Sequence, residues 1–276
     1  MKITRSASDV CLLCQLQAST KQRSHIVPKF LTKKIFIGGG FQIGSHTKHA
    51  ARKVQDSAKE DFILCPGCEE RFSILETLVA NKFYNRFRDP ASKNNFPITH
   101  YGLYLQGQID TMELRSMTSG LMRLFVYSIF WRASISTCEI YKEFKLELKI
   151  EEMLRQDLDT YLGYKMQEML TLADTYSAHI RLPYNLLTTL TITPDSGNLI
   201  NSLQVDGKYL LCANNLAMIL YTEQPLPYGG GYNANSRFAE VGLLPVDKWK
   251  EFISSLLHFL AHERYKARGL EGLSEL

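Results

Sequence analysis

Long apolar segments are scarce in this sequence of 276 residues. The chain begins Met1-Lys-Ile-Thr-Arg-Ser and shows no apolar core of a secretory signal peptide there, so we expect a cytoplasmic protein. The main apolar run, residues 121–131, includes Arg123 and is shorter than the roughly 20 residues that a transmembrane helix needs. We therefore expect no membrane partner.

Several familiar catalytic patterns are also missing. The three glycines at 38–40 are not followed by the Lys-Ser/Thr pair of a phosphate-binding loop, so we interpret them as turn residues. We find no defensible Ser-His-Asp arrangement, no dinucleotide-binding glycine pattern and no internal repeat. With 45% hydrophobic residues, the chain has enough apolar content for one large domain or two ordinary ones.

Positive charge is unevenly spread along the chain. Residues 1–100 carry 16 Lys and Arg against 8 Asp and Glu, whereas residues 101–276 carry 16 against 20. A basic part joined to a slightly acidic part indicates contact with a polyanion. In the polar stretch after the glycines, Lys48, Arg52 and Lys53 are our candidates for phosphate contacts. The alternative is an ordinary solvated lysine surface.

Four of the six cysteines form two pairs with the same short spacing. Two Cys-x-x-Cys pairs offer four thiolates, the ligand set that closes a tetrahedral structural zinc site. Residues 15–64 between the pairs exceed the spacing of a simple zinc ribbon, so a folded insert has to bring them together. The other two cysteines lack a partner at short spacing and are predicted to be core residues. The predicted ligands of one structural Zn²⁺ are Cys11, Cys14, Cys65 and Cys68.

The elements around these cysteine pairs predict a treble-clef ββα zinc module over residues 1–95. Residues 24–30 are typical of a short strand that runs into a turn, and residues 35–44 of a hairpin or loop. After the second pair, the apolar residues at 72, 75, 78 and 79 follow a helical period. Cysteine turn, hairpin, cysteine turn and helix is the order of a treble clef.

Two further regions are predicted beyond a loop-like stretch that ends near residue 97. The fold class is therefore α+β, with a helical region at 96–180 and an α+β region at 181–276. The predicted helices lie at 111–136, 140–150, 151–177 and 246–267, and the predicted strands at 185–193, 208–222 and 239–244.

The segment around His25 resembles a known family. A Cys-x-x-Cys pair, then Ser24-His-Ile-Val-Pro-Lys-Phe30, then a second pair that opens a helix is similar to the HNH endonuclease superfamily, which has a ββα-metal active site. More narrowly, this form, followed by Leu64-Cys-Pro-Gly-Cys-Glu69 and then Glu76, resembles the bacterial "SHIIP" branch. The resemblance covers residues 10–80 and does not extend to the rest of the chain.

This resemblance implies roles for several residues. In HNH nucleases the histidine of this segment is the general base for the water that attacks the phosphodiester, which implies that role for His25. A divalent ion distinct from the zinc, Mg²⁺ or Mn²⁺, is implied at the scissile phosphate. Glu69 stands where the family has a helix-borne ligand, and Ser24 where it has an acidic one. Gln55 and Asp56 are the nearest candidates for the middle Asn-type position.

Together these features predict a metal-dependent HNH-like nuclease that hydrolyses phosphodiester bonds, with DNA favoured and a role in bacterial defence or a mobile element in keeping with the resemblance. One alternative is a non-catalytic zinc-finger nucleic-acid-binding protein with a degenerate site. Another is a zinc-stabilised protein-interaction module, in which His25 only caps the hairpin or forms hydrogen bonds near the zinc. Residues 100–276 are candidates for target choice, regulation, homo-oligomer formation or contact with a protein partner.

Overall fold

The structure is a computed structural model. It describes residues 5–32, 41–44, 52–53, 57–89, 96–104, 107–177, 182–189, 199–205, 207–222, 233 and 237–267. In chain order its elements are β1 (Ser24–His25), α1 (Lys29–Thr32), β2 (Phe41–Gly44), β3 (Arg52–Lys53), β4 (Lys59–Glu60), α2 (Pro66–Val79), a π-helical turn (Ala80–Tyr84), α3 (Asn85–Arg88), β5 (Ile98–Tyr104), β6 (Gly107–Thr118), α4 (Ser119–Ile135), a 3₁₀ turn (Glu139–Tyr141), α5 (Leu148–Tyr161), α6 (Met166–Ser177), β7 (Tyr184–Thr189), β8 (Leu199–Val205), β9 (Lys208–Ala213), β10 (Leu216–Tyr221), β11 (Phe238–Leu244) and α7 (Val246–Ala267).

Nine of the described strands form one sheet, in the order β3-β2-β8-β9-β10-β7-β11-β6-β5. Its neighbouring strands are antiparallel, except that β2 runs parallel to β8 and β7 parallel to β11. Strands β1 and β4 form a separate antiparallel pair, with Ser24 opposite Glu60 and His25 opposite Lys59. Two strands from the predicted zinc module, β2 and β3, therefore belong to the large sheet.

Alternate side chains of the large sheet pack into cores on its two faces. In β7, Leu186 joins the main core, whereas Leu187 joins a smaller cluster with Trp249 and Leu256 of α7. This alternation is expected because successive strand residues point to opposite faces. Cys212 is buried in the smaller cluster, as predicted for a core cysteine. The main core also contains helices α2, α4, α5 and α6 and residues of the predicted zinc region, by which we mean residues 11–32 and 57–68.

The mixed helix and sheet content confirms the predicted α+β class. The main core includes residues from each of the three predicted regions, and β2 and β3 share a sheet with strands that follow residue 181. The division at residues 95 and 180 stays a prediction.

The helix predicted at 111–136 is wrong at its start, because Gly107–Thr118 forms strand β6. Helix α4 begins at Ser119, where the Thr118 side chain accepts a hydrogen bond from the Leu121 amide at 3.3 Å and caps the helix. Met112 of β6 is as buried as the α4 residues, so the apolar pattern runs through the boundary. No helix in the described part of the chain is long and apolar enough to cross a membrane.

The helices predicted at 140–150 and 151–177 also differ from the structure. Helix α5 begins at Leu148 and ends at Tyr161, and α6 begins at Met166. In the turn between them, a Cβ atom on Gly163 would lie 2.6 Å from the Met169 amide nitrogen, so glycine is needed there. Because the apolar spacing continues across this turn, the sequence pattern predicts one helix where there are two.

Several predicted elements of the C-terminal region are confirmed. Helix α7 spans 246–267, and β11 covers the strand predicted at 239–244 with one residue more. The strand predicted at 208–222 is a hairpin of β9 and β10, which turns at Asn214 with a φ of 59°. Of the hairpin or loop predicted at 35–44, only 41–44 is described, as β2.

Candidate metal centre and His25 site

The two cysteine pairs meet at one point. Their four Sγ atoms all lie within 4.8 Å of one another, and those of Cys14 and Cys65 are 3.9 Å apart. A tetrahedral zinc site with Zn–S bonds of about 2.3 Å needs sulfur separations of about 3.8 Å. The donor set and its dimensions therefore fit a zinc ion held by Cys11, Cys14, Cys65 and Cys68.

Backbone hydrogen bonds shape the turns that carry these cysteines. In the first turn, the Gln15 amide donates to the Cys11 carbonyl at 3.0 Å, and Gln15 has a left-handed φ of 55°. In the second, Pro66 takes the first position of α2. The N–H at this position has no partner within a helix, so proline, which lacks an N–H, is well suited to it. The Leu12 amide donates to the Ile63 carbonyl at 2.9 Å, which joins the two turns.

Close packing of the sulfurs shifts their pKa values in opposite directions. The hydrogen bond from Cys68 lowers the pKa of Cys11 to about 4. The same hydrogen bond and burial raise the pKa of Cys68, and burial raises the pKa of Cys65. Because neighbouring thiolates repel one another, a dication is needed to keep all four sulfurs deprotonated.

Arg71, which the sequence analysis missed, is buried beside the cysteine cluster. Its Nη1 lies 3.9 Å from Cys68 Sγ and 2.9 Å from the Asp159 carboxylate on α5. Its Nε donates to the Leu162 carbonyl at 2.8 Å. The spacing from Cys68 is the available signal, since residues three apart share a helix face. The guanidinium places positive charge beside the thiolates and links them to the end of α5.

Arg155 of α5 supports the first cysteine turn. Its Nη1 donates to the Leu13 carbonyl at 2.6 Å, and its Nε and Nη2 each donate to the Glu152 carboxylate at 2.7 Å. Through Arg155 and Asp159, helix α5 therefore contacts both turns of the candidate zinc site.

His25 lies in β1 with its side chain half-buried. Its carbonyl accepts a hydrogen bond from Nη1 of Arg132 at 2.8 Å. Arg132 belongs to α4 and follows His25 by 107 positions. The backbone of the predicted general base is therefore held by a residue outside the segment that carries the HNH resemblance.

Arg132 also contacts α2. Its Nη1 lies 2.7 Å from Oε1 of Glu76, its Cζ lies 4.9 Å from the Phe72 ring centroid, and its Nε donates to the Ser128 carbonyl at 3.0 Å. Burial raises the pKa of Glu76, Arg132 offsets part of this rise, and the negative charge of Glu69 adds to it. Only 3% of the Arg132 side chain is exposed. Arg132 thus joins β1, α2 and α4 at a buried point.

The carboxylate of Glu60, which lies opposite Ser24 in the β1–β4 pair, meets the residues after α4. The Ser136 hydroxyl donates to it at 2.6 Å and the Thr137 amide at 3.0 Å. The Thr137 hydroxyl and the Cys138 thiol donate as well. Although burial acts to raise the pKa of Glu60, these hydrogen bonds lower it. Cys138, which was predicted to be a core residue, is half-buried against the main core and donates a hydrogen bond to Glu60.

The predicted catalytic Mg²⁺ or Mn²⁺ stays a prediction. Among the described residues, the four cysteines are the only group of three or more His, Cys, Asp or Glu side chains close enough to hold one metal ion. Glu76 is engaged by Arg132, and Glu60 by the residues after α4. Glu69 lies in the first turn of α2 and is half-buried.

The remaining predicted site residues are only partly covered by the structure. Gln55, Asp56 and Lys48 lie outside the described residues. Arg52 and Lys53 form β3, which pairs with β2 at the edge of the large sheet. Their predicted contacts with phosphate stay predictions.

The chain was compared with known protein families, curated proteins and solved structures, and none of them matches.

Proposed function

We propose that this protein is a zinc-stabilised, HNH-like phosphodiester hydrolase that acts on nucleic acid, with DNA favoured. The observation that supports it best is the position of Arg132 Nη1, 2.8 Å from the His25 carbonyl and 2.7 Å from the Glu76 carboxylate. Arg132 therefore links the strand that bears His25 to the helix that starts at the second cysteine pair. A strand pair, a cysteine turn and a helix in this arrangement are consistent with a treble-clef ββα module.

In this proposal His25 is the general base. A neutral imidazole accepts the proton of the water that attacks the phosphorus. The requirement for Mg²⁺ or Mn²⁺ stays a prediction that rests on Glu69 together with Gln55 and Asp56. The zinc has a separate, structural role, because its ligands include one cysteine pair before β1 and one after β4.

Exposed basic side chains near β1 favour nucleic acid as the substrate. Lys21 and Arg23 precede the strand and Lys29 follows it, and all three are exposed. Cations placed in this way attract the phosphate backbone and release its counterions, so the binding they support weakens as salt rises. The predicted phosphate contacts, which would extend this basic surface, are Lys48, Arg52 and Lys53.

A non-catalytic, nucleic-acid-binding zinc protein is the second candidate. It is favoured by the engagement of Glu76 and Glu60 in contacts within the protein, and by Ser24, a buried and uncharged residue at the position of an acidic ligand in the family. The cytoplasmic location, and a homo-oligomer or protein partner formed through residues 100–276, stay predictions under either candidate.

The experiment is a plasmid-cleavage assay with the full-length, zinc-loaded protein and added Mg²⁺ or Mn²⁺. We compare the wild type with His25→Ala and with His258→Ala, which removes an exposed histidine of α7. Loss of a general base slows hydrolysis by about 10² to 10⁴. We expect His25→Ala to lose cleavage while it keeps zinc and salt-sensitive DNA binding, and His258→Ala to behave as the wild type.

Two results would count against the proposal. Cleavage by His25→Ala at the wild-type rate would exclude His25 as the base. If the wild type cuts neither DNA nor RNA with any divalent ion, but binds zinc and nucleic acid, the non-catalytic candidate takes its place.

A further inference from the structure

We propose that α4 and the two residues after it position His25, so that the site is built jointly by the zinc region and by Arg132, Ser136 and Thr137. The catalytic consequence rests on the proposed function, whereas the structural one does not. None of the three residues lies within the segment that resembles HNH nucleases.

The first contact holds β1. The Arg132 guanidinium donates through Nη1 to the His25 carbonyl at 2.8 Å and through Nε to the Ser128 carbonyl of its own helix at 3.0 Å. A guanidinium is a rigid planar fork, so these two bonds fix the direction from α4 to β1. The ion pair with Glu76 at 2.7 Å adds α2 to the same point. Arg132 therefore sets where the His25 backbone lies relative to both helices.

The second contact holds β4 and is independent of the first. Glu60 accepts hydrogen bonds from the Ser136 hydroxyl and from the Thr137 amide, at 2.6 and 3.0 Å. Hydrogen bonds to a charged carboxylate are stronger than neutral ones. Since β4 pairs with β1, the residues after α4 hold one strand of the pair and Arg132 holds the other.

The strand pair needs this support because it is so short. Strands β1 and β4 have two residues each and belong to a sheet of two strands. An isolated two-stranded pair is at best marginally stable in water. The zinc site fixes the chain outside this pair, and α4 supplies the contacts that orient the pair itself.

A displaced strand would affect His25 in its proposed role. A general base has to lie within hydrogen-bond reach of the proton it accepts, and a misplacement of about 1 Å can cost about 100-fold in rate. Arg132 touches the His25 backbone and is placed to act through His25, so it is a positioning residue. Its loss should lower kcat with little change in KM, because nucleic-acid binding relies on other side chains.

The test compares Arg132→Lys with Arg155→Lys in the full-length, zinc-loaded protein. Both arginines donate Nη1 to a backbone carbonyl of the zinc region and pair with a glutamate, but Arg155 contacts Leu13. Lysine keeps the charge and loses the fork. We expect Arg132→Lys to shift the His25 imidazole signals in an NMR spectrum of ¹⁵N-histidine-labelled protein and to lower kcat about 10- to 100-fold, with KM and zinc content unchanged. Arg155→Lys, which alters a contact of the first cysteine turn, should leave the His25 imidazole signals at their wild-type positions.

Glu60→Gln provides a second, milder variant in case Arg132→Lys does not fold. It should shift the same imidazole signals by a smaller amount. The positioning role is overturned if the His25 signals stay at wild-type positions in the folded variants. If the signals move but the wild type cleaves no nucleic acid, the proposed function fails and the positioning role holds.

Discussion

The cysteine cluster and the β1–β4 pair belong to one region of the molecule but are held by different chemistry. At the cluster, four sulfurs lie within 4.8 Å of one another and form a donor set that fits Zn²⁺. At the strand pair, oxygen and nitrogen groups of α4 and the residues after it bind a carbonyl and a carboxylate directly. We therefore expect folding of the region to depend on a metal bound by the cysteines, and the geometry around His25 to depend on α4 and the two residues after it. The two should therefore respond to different changes.

The largest expected effect is that of Cys65→Ser. Structural zinc contributes about 10 to 16 kcal/mol in zinc-finger peptides at neutral pH, and its binding energy is also folding energy. Cys65→Ser should lose the metal and unfold the zinc region, as measured by metal analysis and by amide hydrogen exchange. Cys138→Ser, which alters a cysteine outside the cluster, should keep one zinc per chain. A folded, zinc-replete Cys65→Ser protein would contradict the ligand assignment.

The next effect concerns the strand pair. Arg132→Ala leaves the largely buried Glu76 carboxylate without its partner, and such changes cost up to about 3 to 5 kcal/mol. Arg115→Ala serves as the control, because the Arg115 side chain is 69% exposed and its pair with Glu113 is worth about 0 to 1 kcal/mol. Urea unfolding followed by circular dichroism measures both changes. Similar losses of stability in the two variants would show that Arg132 is not an anchor.

Nucleic-acid binding should follow the basic surface and not the overall charge. Reversing Lys48, Arg52 and Lys53 together should weaken binding about equally for every sequence and lower the slope of log affinity against log salt by about 1 per lost phosphate contact. Fluorescence anisotropy at several salt concentrations measures this. Equal weakening in a control that reverses three exposed lysines elsewhere would point to net charge alone. The control lysines are Lys142, Lys149 and Lys250.

The smallest expected effect is that of Glu60→Gln, and it should depend on pH. Hydrogen bonds lower the pKa of Glu60 below its ordinary value of 4.5, so its charge stabilises the fold above that pH and this contribution disappears as pH falls through the lowered pKa. We expect a loss of about 1 to 3 kcal/mol at pH 7 that shrinks in acid. Glu152→Gln, at a more exposed pair with Arg155, should lose about 0 to 1 kcal/mol. The same loss at pH 7 and in acid would show that the Glu60 charge is not responsible.

The cysteine cluster and the β1–β4 pair also differ in how well they can be predicted from the sequence. The cysteine ligands can be predicted because each pair has a short, characteristic spacing. The partners of His25 and Glu60 cannot, because Arg132 and Ser136 are 107 and 76 positions away from them. Arg132 also lies within an apolar helix, where no local pattern distinguishes an anchor from a snorkelling side chain.

Local signals account for some of the differences in secondary structure. The Thr118 cap marks the start of α4, but burial of Met112 extends the apolar pattern into β6 and hides the boundary. The turn at Gly163 depends on its close approach to Met169, a contact that exists only once the helices have packed. Long-range pairing explains the large sheet as well, since β2 joins β8 across more than half of the chain.

The most direct test of the central claim is the pH dependence of single-turnover DNA cleavage by the zinc-loaded protein. With a neutral His25 as base, the wild-type rate should rise with pH as the imidazole loses its proton and should then level off. His25→Ala should be about 10² to 10⁴ slower and should lack this rise. The same pH profile and a similar rate in both proteins would contradict the account.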